Sequence, residues 1–128
     1  MDTLIERLNA DDMLGRHGAY YTTHISIVGS DKSYHFDINR GRVSARKVEA
    51  AGAGFSLVGT SEVWSKYCQD IPPPEHHELG AMLAAGHVNI EGDMQILQSN
   101  FMYVRRLLEI WRDNQREQKK CMLFLMMW

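Results

Sequence analysis

Cysteine is nearly absent from this sequence. Cys68 and Cys121 lie far apart in neither a C-x-x-C nor a paired metal-knuckle spacing, which excludes a disulfide framework or a zinc ribbon and makes a reducing compartment the expectation. Proline is scarce too, at three residues, and with 45% apolar and 23% charged residues the composition excludes wholesale disorder. There is no excess of basic charge: 14 Lys and Arg face 16 Asp and Glu, so nucleic acid is not an expected partner. The longest apolar run, Cys121 to Trp128, is far short of the roughly 20 residues a membrane-spanning helix needs, so no transmembrane segment is expected. The opening MDTLIERLNADDML lacks the basic start and apolar core of a secretory signal, and the expected location is cytoplasmic. Also missing are a Gly-x-Ser-x-Gly elbow, a phosphate-cradling glycine loop, a His-Glu-x-x-His helix and any internal repeat. No cofactor and no metal are expected.

What is present reads as one α+β domain of 128 residues. Leu4, Ile5 and Leu8 at helical spacing predict a short leading helix capped by Asp2, and Gly15 to Gly18 a flexible joint, so residues 1–18 form a leading segment. From Tyr20 to Val28, Thr23, Ile25 and Ile27 alternate with His24 and Ser26. After the turn Gly29-Ser30-Asp31-Lys32, Tyr34, Phe36 and Ile38 alternate with His35 and Asp37. Closing Val28 on Ser33 pairs Ile27 with Tyr34, Ile25 with Phe36 and Thr23 with Ile38 on one face, and Ser26 with His35 and His24 with Asp37 on the other. Asn39-Arg40-Gly41-Arg42 turns into a third strand, Val43 to Val48. A small-residue loop, Ala50 to Gly54, leads to a fourth, Phe55 to Gly59, which completes a four-strand meander.

At Thr60 the period becomes helical. Thr60 or Ser61 caps a helix carrying Val63, Trp64 and Tyr67; Pro74 opens a second from His76 to Ala85; Gly86 ends it; Val88 and Ile90 form a fifth strand. Asp93 then caps a helix running to about Gln118, with one apolar stripe of Met94, Leu97, Phe101, Val104, Leu108 and Trp111 and a second of Ile96, Tyr103, Leu107 and Ile110. Two stripes require two buried surfaces. Asn100 falls between them, where it either bonds a neighbouring carbonyl as a core amide or orients a ligand's polar head.

The segment Leu83 to Leu97, LAAGHVNIEGDMQIL, with Gly86, Ile90, Gly92 and Asp93, and Phe55-Ser56-Leu57 before the Thr60 helix, resembles the sterol carrier protein type two domain. The order of elements over roughly residues 19–111 does so as well, and residues 19–118 read as one such domain. The resemblance implies a five-stranded, mostly antiparallel sheet with helices packed on one face, enclosing an apolar tunnel for a fatty acyl chain, a sterol or a polyketide- or terpenoid-like molecule. It places Ile25, Phe36, Phe55 and Leu57 of the sheet on the tunnel wall. Trp64, Leu79, Met82, Leu83, Leu97, Phe101 and Leu108 join them, with Asn100 and Val104 on the long helix. Related domains also occur as appendages of larger enzymes.

The expected function is reversible binding of a small apolar or amphipathic molecule, without chemistry. An alternative is a cofactor-free enzyme using His24, Asp37 and His35 beside Ser26, since a carboxylate can orient an imidazole for proton transfer. Those positions face away from the apolar side of the sheet, where strand residues are ordinarily just solvated. Another alternative is an accessory interaction domain. His76, His77 and His87 have no convergent ligand partners in the pattern and read as structural. The apolar tail, residues 119–128, must be buried somewhere: self-burial or contact with a second copy is the expectation, with docking on a partner protein or a shallow dip into a membrane as alternatives.

Overall fold

A computed structural model describes residues 2–18, 22–45 and 54–126, with side chains described from Thr3 to Lys119 within those ranges. Five strands, β1 (Thr23–Val28), β2 (Ser33–Asn39), β3 (Arg42–Ala45), β4 (Gly54–Val58) and β5 (Asn89–Gly92), form one sheet in the order β3-β2-β1-β4-β5. The β1–β2 register is the expected one, with Ile27 opposite Tyr34, Ile25 opposite Phe36, and His24 opposite Asp37. Arg40 and Gly41, both at positive φ (50° and 81°), make the tight turn into β3, the backbone that matches hairpin twist.

The four-strand meander is not what forms. β4 leaves the β3 edge and pairs parallel with β1, setting Ile25 beside Phe55 and Ile27 beside Leu57, and β5 pairs antiparallel with β4. The reason is burial: β3 offers the core only Val43, whereas β1 and β4 are buried along most of their length and belong at the centre. Three of the four pairings stay antiparallel. Residues 19–21 and 46–53, which include parts of the expected first and third strands and of the small-residue loop, lie outside the described residues.

The leading segment differs from expectation. Instead of one helix and a glycine joint there are two helices, α1 (Asp2–Ala10) and α2 (Asp12–His17), and Gly15 sits inside the second. Asp11 decides this, because its carboxylate accepts from the Leu14 N–H at 2.9 Å and caps α2. Leu4, Leu8 and Leu14 are buried in the same core as the sheet. Asn9 holds the β3 edge: its amide donates to the Val43 carbonyl at 2.9 Å and accepts from the Val43 N–H at 2.8 Å, occupying groups that would otherwise template another strand.

The remaining helices are α3 (Ser61–Tyr67), α4 (Leu79–Ala84), α5 (Met94–Ser99) and α6 (Phe101–Met126). Thr60 caps α3 as expected, accepting from the Val63 N–H. Pro74 opens no helix: Glu75 adopts φ +70°, incompatible with a helical turn, and α4 starts only where Glu78 caps the Gly80 and Ala81 N–H groups. The long helix is broken at Asn100, whose φ of −133° ends α5 while its side-chain amide donates to the Ile96 carbonyl at 3.3 Å. α6 then continues to Met126, past the expected end at Gln118, so the backbone of residues 119–126 is helical. Both stripes find cover except at Met94, which is exposed. Leu97, Val104, Leu108 and Trp111 are buried, as are Tyr103, Leu107 and Ile110, and α6 packs on α1 and α2 as well as on the sheet side. No helix among the described residues is long and apolar enough to cross a membrane.

Arg106 of α6 grips Asp11 with two donors, Nε at 3.1 Å and Nη2 at 2.8 Å. The guanidinium hydrogen bond holds the Asp11 carboxyl below its ordinary range, against the opposing effect of burial. A carboxyl with a depressed folded-state pKa adds stability above its unfolded value, about 3.9, and loses it as pH falls through the folded value. Asp11→Asn keeps the cap and removes the charge, so it should cost about 1–2 kcal/mol at pH 7. Urea denaturation from pH 7 to pH 2 should show the gap between wild type and variant closing below about pH 4. A gap that stays constant across that range would mean the pair contributes no linked stability.

Candidate functional site

Between the turn end of the β1–β2 hairpin, α3 and the middle of α6 lies a pocket of about 310 Å³. Its apolar wall comes from Ile27, Tyr34, Trp64 and Trp111. The strand period puts Ile27 and Tyr34 on the helix-covered face, as an opposed pair at the end of the hairpin. Trp64 is fixed by donating its indole N–H to the Val28 carbonyl at 2.8 Å. Its ring lies against Gly59, where a Cβ would come 3.3 Å from the indole nitrogen. Trp111 packs edge-on to both Tyr34 and Trp64 with centroids 5.6 Å apart, so three elements meet through aromatic edges and faces.

The rest of the wall is polar. Ser61, Ser65 and Gln69 come from α3 and the residues after it, while Gln115 of α6 accepts from the Tyr34 hydroxyl at 3.3 Å. Charged residues are Asp31, Lys32, Arg116 and Lys119. Arg116 donates through Nε to the Cys68 carbonyl at 2.9 Å and through Nη2 to the Gln69 carbonyl, closing the C-terminal end of α3 onto α6. Cys68 also lines the pocket, and burial pushes its thiol up to about 11 despite the nearby positive charge of Arg116, Arg112 and Lys119. The thiol is therefore protonated at neutral pH and a poor nucleophile.

Of the ligand residues expected from sequence, Trp64 is on this wall. Ile25, Phe36, Phe55 and Leu57 are buried under the sheet, and Leu79, Met82, Leu97, Val104 and Leu108 are buried against them in one continuous cluster. Leu83 and Phe101 are half-buried on its margin, and Asn100 is half-buried at the α5–α6 break, bonded to a neighbouring carbonyl. The sequence reading missed Lys32 and Asp31, seen only as turn residues, Gln115 and Arg116 near the expected end of the last helix, and Lys119, counted with the apolar tail. A usable signal was there: Tyr34, Trp64 and Trp111 are aromatic residues on the inward faces of three separate elements.

His24, Ser26, His35 and Asp37 share the opposite face of the sheet from Ile27 and Tyr34, so the pocket and these side chains lie on different sides. Ser26 Oγ and His35 Nδ1 are 2.7 Å apart, and His24 and Asp37 are cross-strand neighbours. The His24 ring lies over Gly54, where a Cβ would come 2.5 Å from its Nε2. His76 and His87 do meet: their rings stack at 4.3 Å, and His87 Nε2 lies 3.0 Å from a Glu75 carboxylate oxygen. The His77 carbonyl accepts from Arg112. Among the described residues no three His, Cys, Asp or Glu side chains converge on a point that could hold a metal.

No family model and no curated protein matches this sequence. Solved structures match its shape. The crystal structure of sterol carrier protein 2 superimposes with a TM-score of 0.68 over 87% of this chain and 92% of that one, at 13% identity. The fold is that of sterol carrier protein 2. A conserved hypothetical protein of Thermus thermophilus, whose description names sterol carrier protein, matches with a TM-score of 0.64 over 86% of this chain and 82% of its own, also at 13% identity. The ubiquinone synthesis protein UbiJ-SCP2 gives a TM-score of 0.54 over 85% and 89%, again at 13% identity. One sterol-carrier-like fold is thus shared by chains that have few residues in common.

Proposed function

We propose that this protein reversibly binds a small apolar or amphipathic molecule in the pocket bounded by the β1–β2 hairpin, α3 and α6. The observation that carries the reading is the aromatic wall of Ile27, Tyr34, Trp64 and Trp111 around about 310 Å³, on a sterol-carrier-like fold. Ligand pockets are typically concave and mostly apolar, with a few placed polar groups, and Ser61, Ser65, Gln69 and Gln115 supply such groups here. Burial of apolar ligand area at about 25 cal/mol per Å² drives association, less the cost of ordering the ligand. The fold neighbours described as sterol carrier proteins, and UbiJ-SCP2 with its description in ubiquinone synthesis, support an apolar ligand class. The enzyme alternative fits less well, because His24 and His35 stand on the face of the sheet away from the pocket.

Calorimetric titration with 1-octanol tests the proposal. The wild type should take up about one equivalent. Ser65→Phe, an exposed α3 position on the pocket wall, should weaken uptake at least roughly tenfold without lowering thermal stability. Absence of binding to the wild type, or equal binding by wild type and variant, would overturn it.

A further inference from the structure

We infer that the pocket selects amphiphiles with an acidic, acceptor-only head group, held at its polar wall by Lys32 and Lys119. This rests on the pocket being a ligand site, as proposed above, and goes on to name the head group it takes.

The first argument is the sign of the unused groups. Lys32 comes from the β1–β2 turn and Lys119 from α6, so two elements bring ammonium groups to one pocket, and neither has an ion-pair partner among the described residues. Each of these groups can only donate. Three of the acceptors nearby are already engaged: Gln115 Oε1 takes the Tyr34 hydroxyl, and the Cys68 and Gln69 carbonyls take Arg116. A head group that only accepts, a carboxylate or a phosphate monoester dianion, satisfies the two ammonium groups without leaving a proton of its own unpaired.

The second argument is charge. Three cations, Lys32, Arg116 and Lys119, share the wall with one carboxylate, Asp31. Arg116 commits donors to the end of α3 and has Asp113 at 3.7 Å, so its charge is partly answered. The lysines keep theirs. Positive charge also reaches Cys68 on the same wall, where Arg116, Arg112 and Lys119 pull the thiol toward ionisation against the larger effect of burial. An acid entering chain-first would put its tail against Trp64 and Trp111 and its charge at these cations, and a quaternary ammonium would be repelled from them.

Four eight-carbon probes separate the possibilities: octanoate, octyl phosphate, 1-octanol and octyltrimethylammonium, titrated below their micelle concentrations by calorimetry. One or both acids should bind roughly five- to tenfold more tightly than octanol, and the ammonium less tightly than octanol. The tighter acid identifies the head group as carboxylate or phosphate. Both lysines are exposed, so Lys32→Gln/Lys119→Gln should fold normally and lose the preference for acids over octanol. Added salt should narrow the same margin in the wild type. Octanol binding with no preference for the acids, or a preference unchanged in the double variant, would overturn the head-group inference and leave the pocket proposal standing. No binding of any octyl compound would overturn both.

Discussion

Trp111→Ala is expected to lower the stability of the protein by about 3–5 kcal/mol, the cost typical of deleting a large buried ring. Trp111 is where the hairpin, α3 and α6 meet: its ring lies edge-on to Tyr34 and Trp64 and stacked on Tyr67 at 6.4 Å. Each such aromatic pair adds about 0.5–1.5 kcal/mol beyond its buried area, so losing three at once should put the cost at the upper end of that range. Leaving the indole N–H without an acceptor destabilises the native protein, and removing the ring recovers a small part of that loss. Trp111→Phe should keep much of the packing and fall between alanine and wild type. Urea denaturation followed by far-ultraviolet circular dichroism measures all three. A Trp111→Ala protein within about 1 kcal/mol of wild type would contradict the packing described for this cluster.

The second large effect is expected at Gly41. Its φ of +81° is strained for any residue with a side chain, costing about 1–2 kcal/mol, and an added Cβ would lie 2.7 Å from the Gly18 carbonyl carbon. The obstacle is backbone at the end of α2, which cannot rotate aside, and overpacking of this kind adds about 1–3 kcal/mol. Tyr103 locks the same junction, donating its hydroxyl to the Gly41 carbonyl at 3.1 Å while its ring covers Gly18. Gly41→Ala should therefore cost about 2–5 kcal/mol. Gly15→Ala is the internal control: it lies within α2 with nothing within 4 Å of the new methyl and should be neutral or stabilise by up to about 1 kcal/mol. Thermal denaturation of the two variants side by side measures the contrast. Equal midpoints would mean that the leading helices do not dock on the β2–β3 turn as described.

Local chemistry in the sequence determined much of this protein. Alternation of Ile25, Ile27, Phe36 and Ile38 with polar neighbours set the hairpin register, because a one-residue slip would turn every apolar side chain to water. Thr60 and Asp93 marked helix starts through side-chain oxygens that reach orphan N–H groups two or three residues on. The double stripe on the last helix required two buried surfaces, and the LAAGHVNIEGDMQIL segment resembled the sterol carrier domain whose fold the chain shares. Where two local signals competed, the sequence was ambiguous. Asn100 interrupts a helical period without a glycine or proline to mark it, and Asp11 outweighs Gly15 as a boundary because Arg106, 95 residues away, supports its cap. Only the tertiary structure decided that β4 lies beside β1, since strand neighbours are chosen by how much apolar area the whole sheet buries and no residue of β4 records its partner. The pocket was decided the same way. Lys32 in a turn, Trp64 on a short helix and Lys119 on a charged stretch have nothing in common along the chain, and they line one cavity because the sheet and two helices leave a gap at that corner.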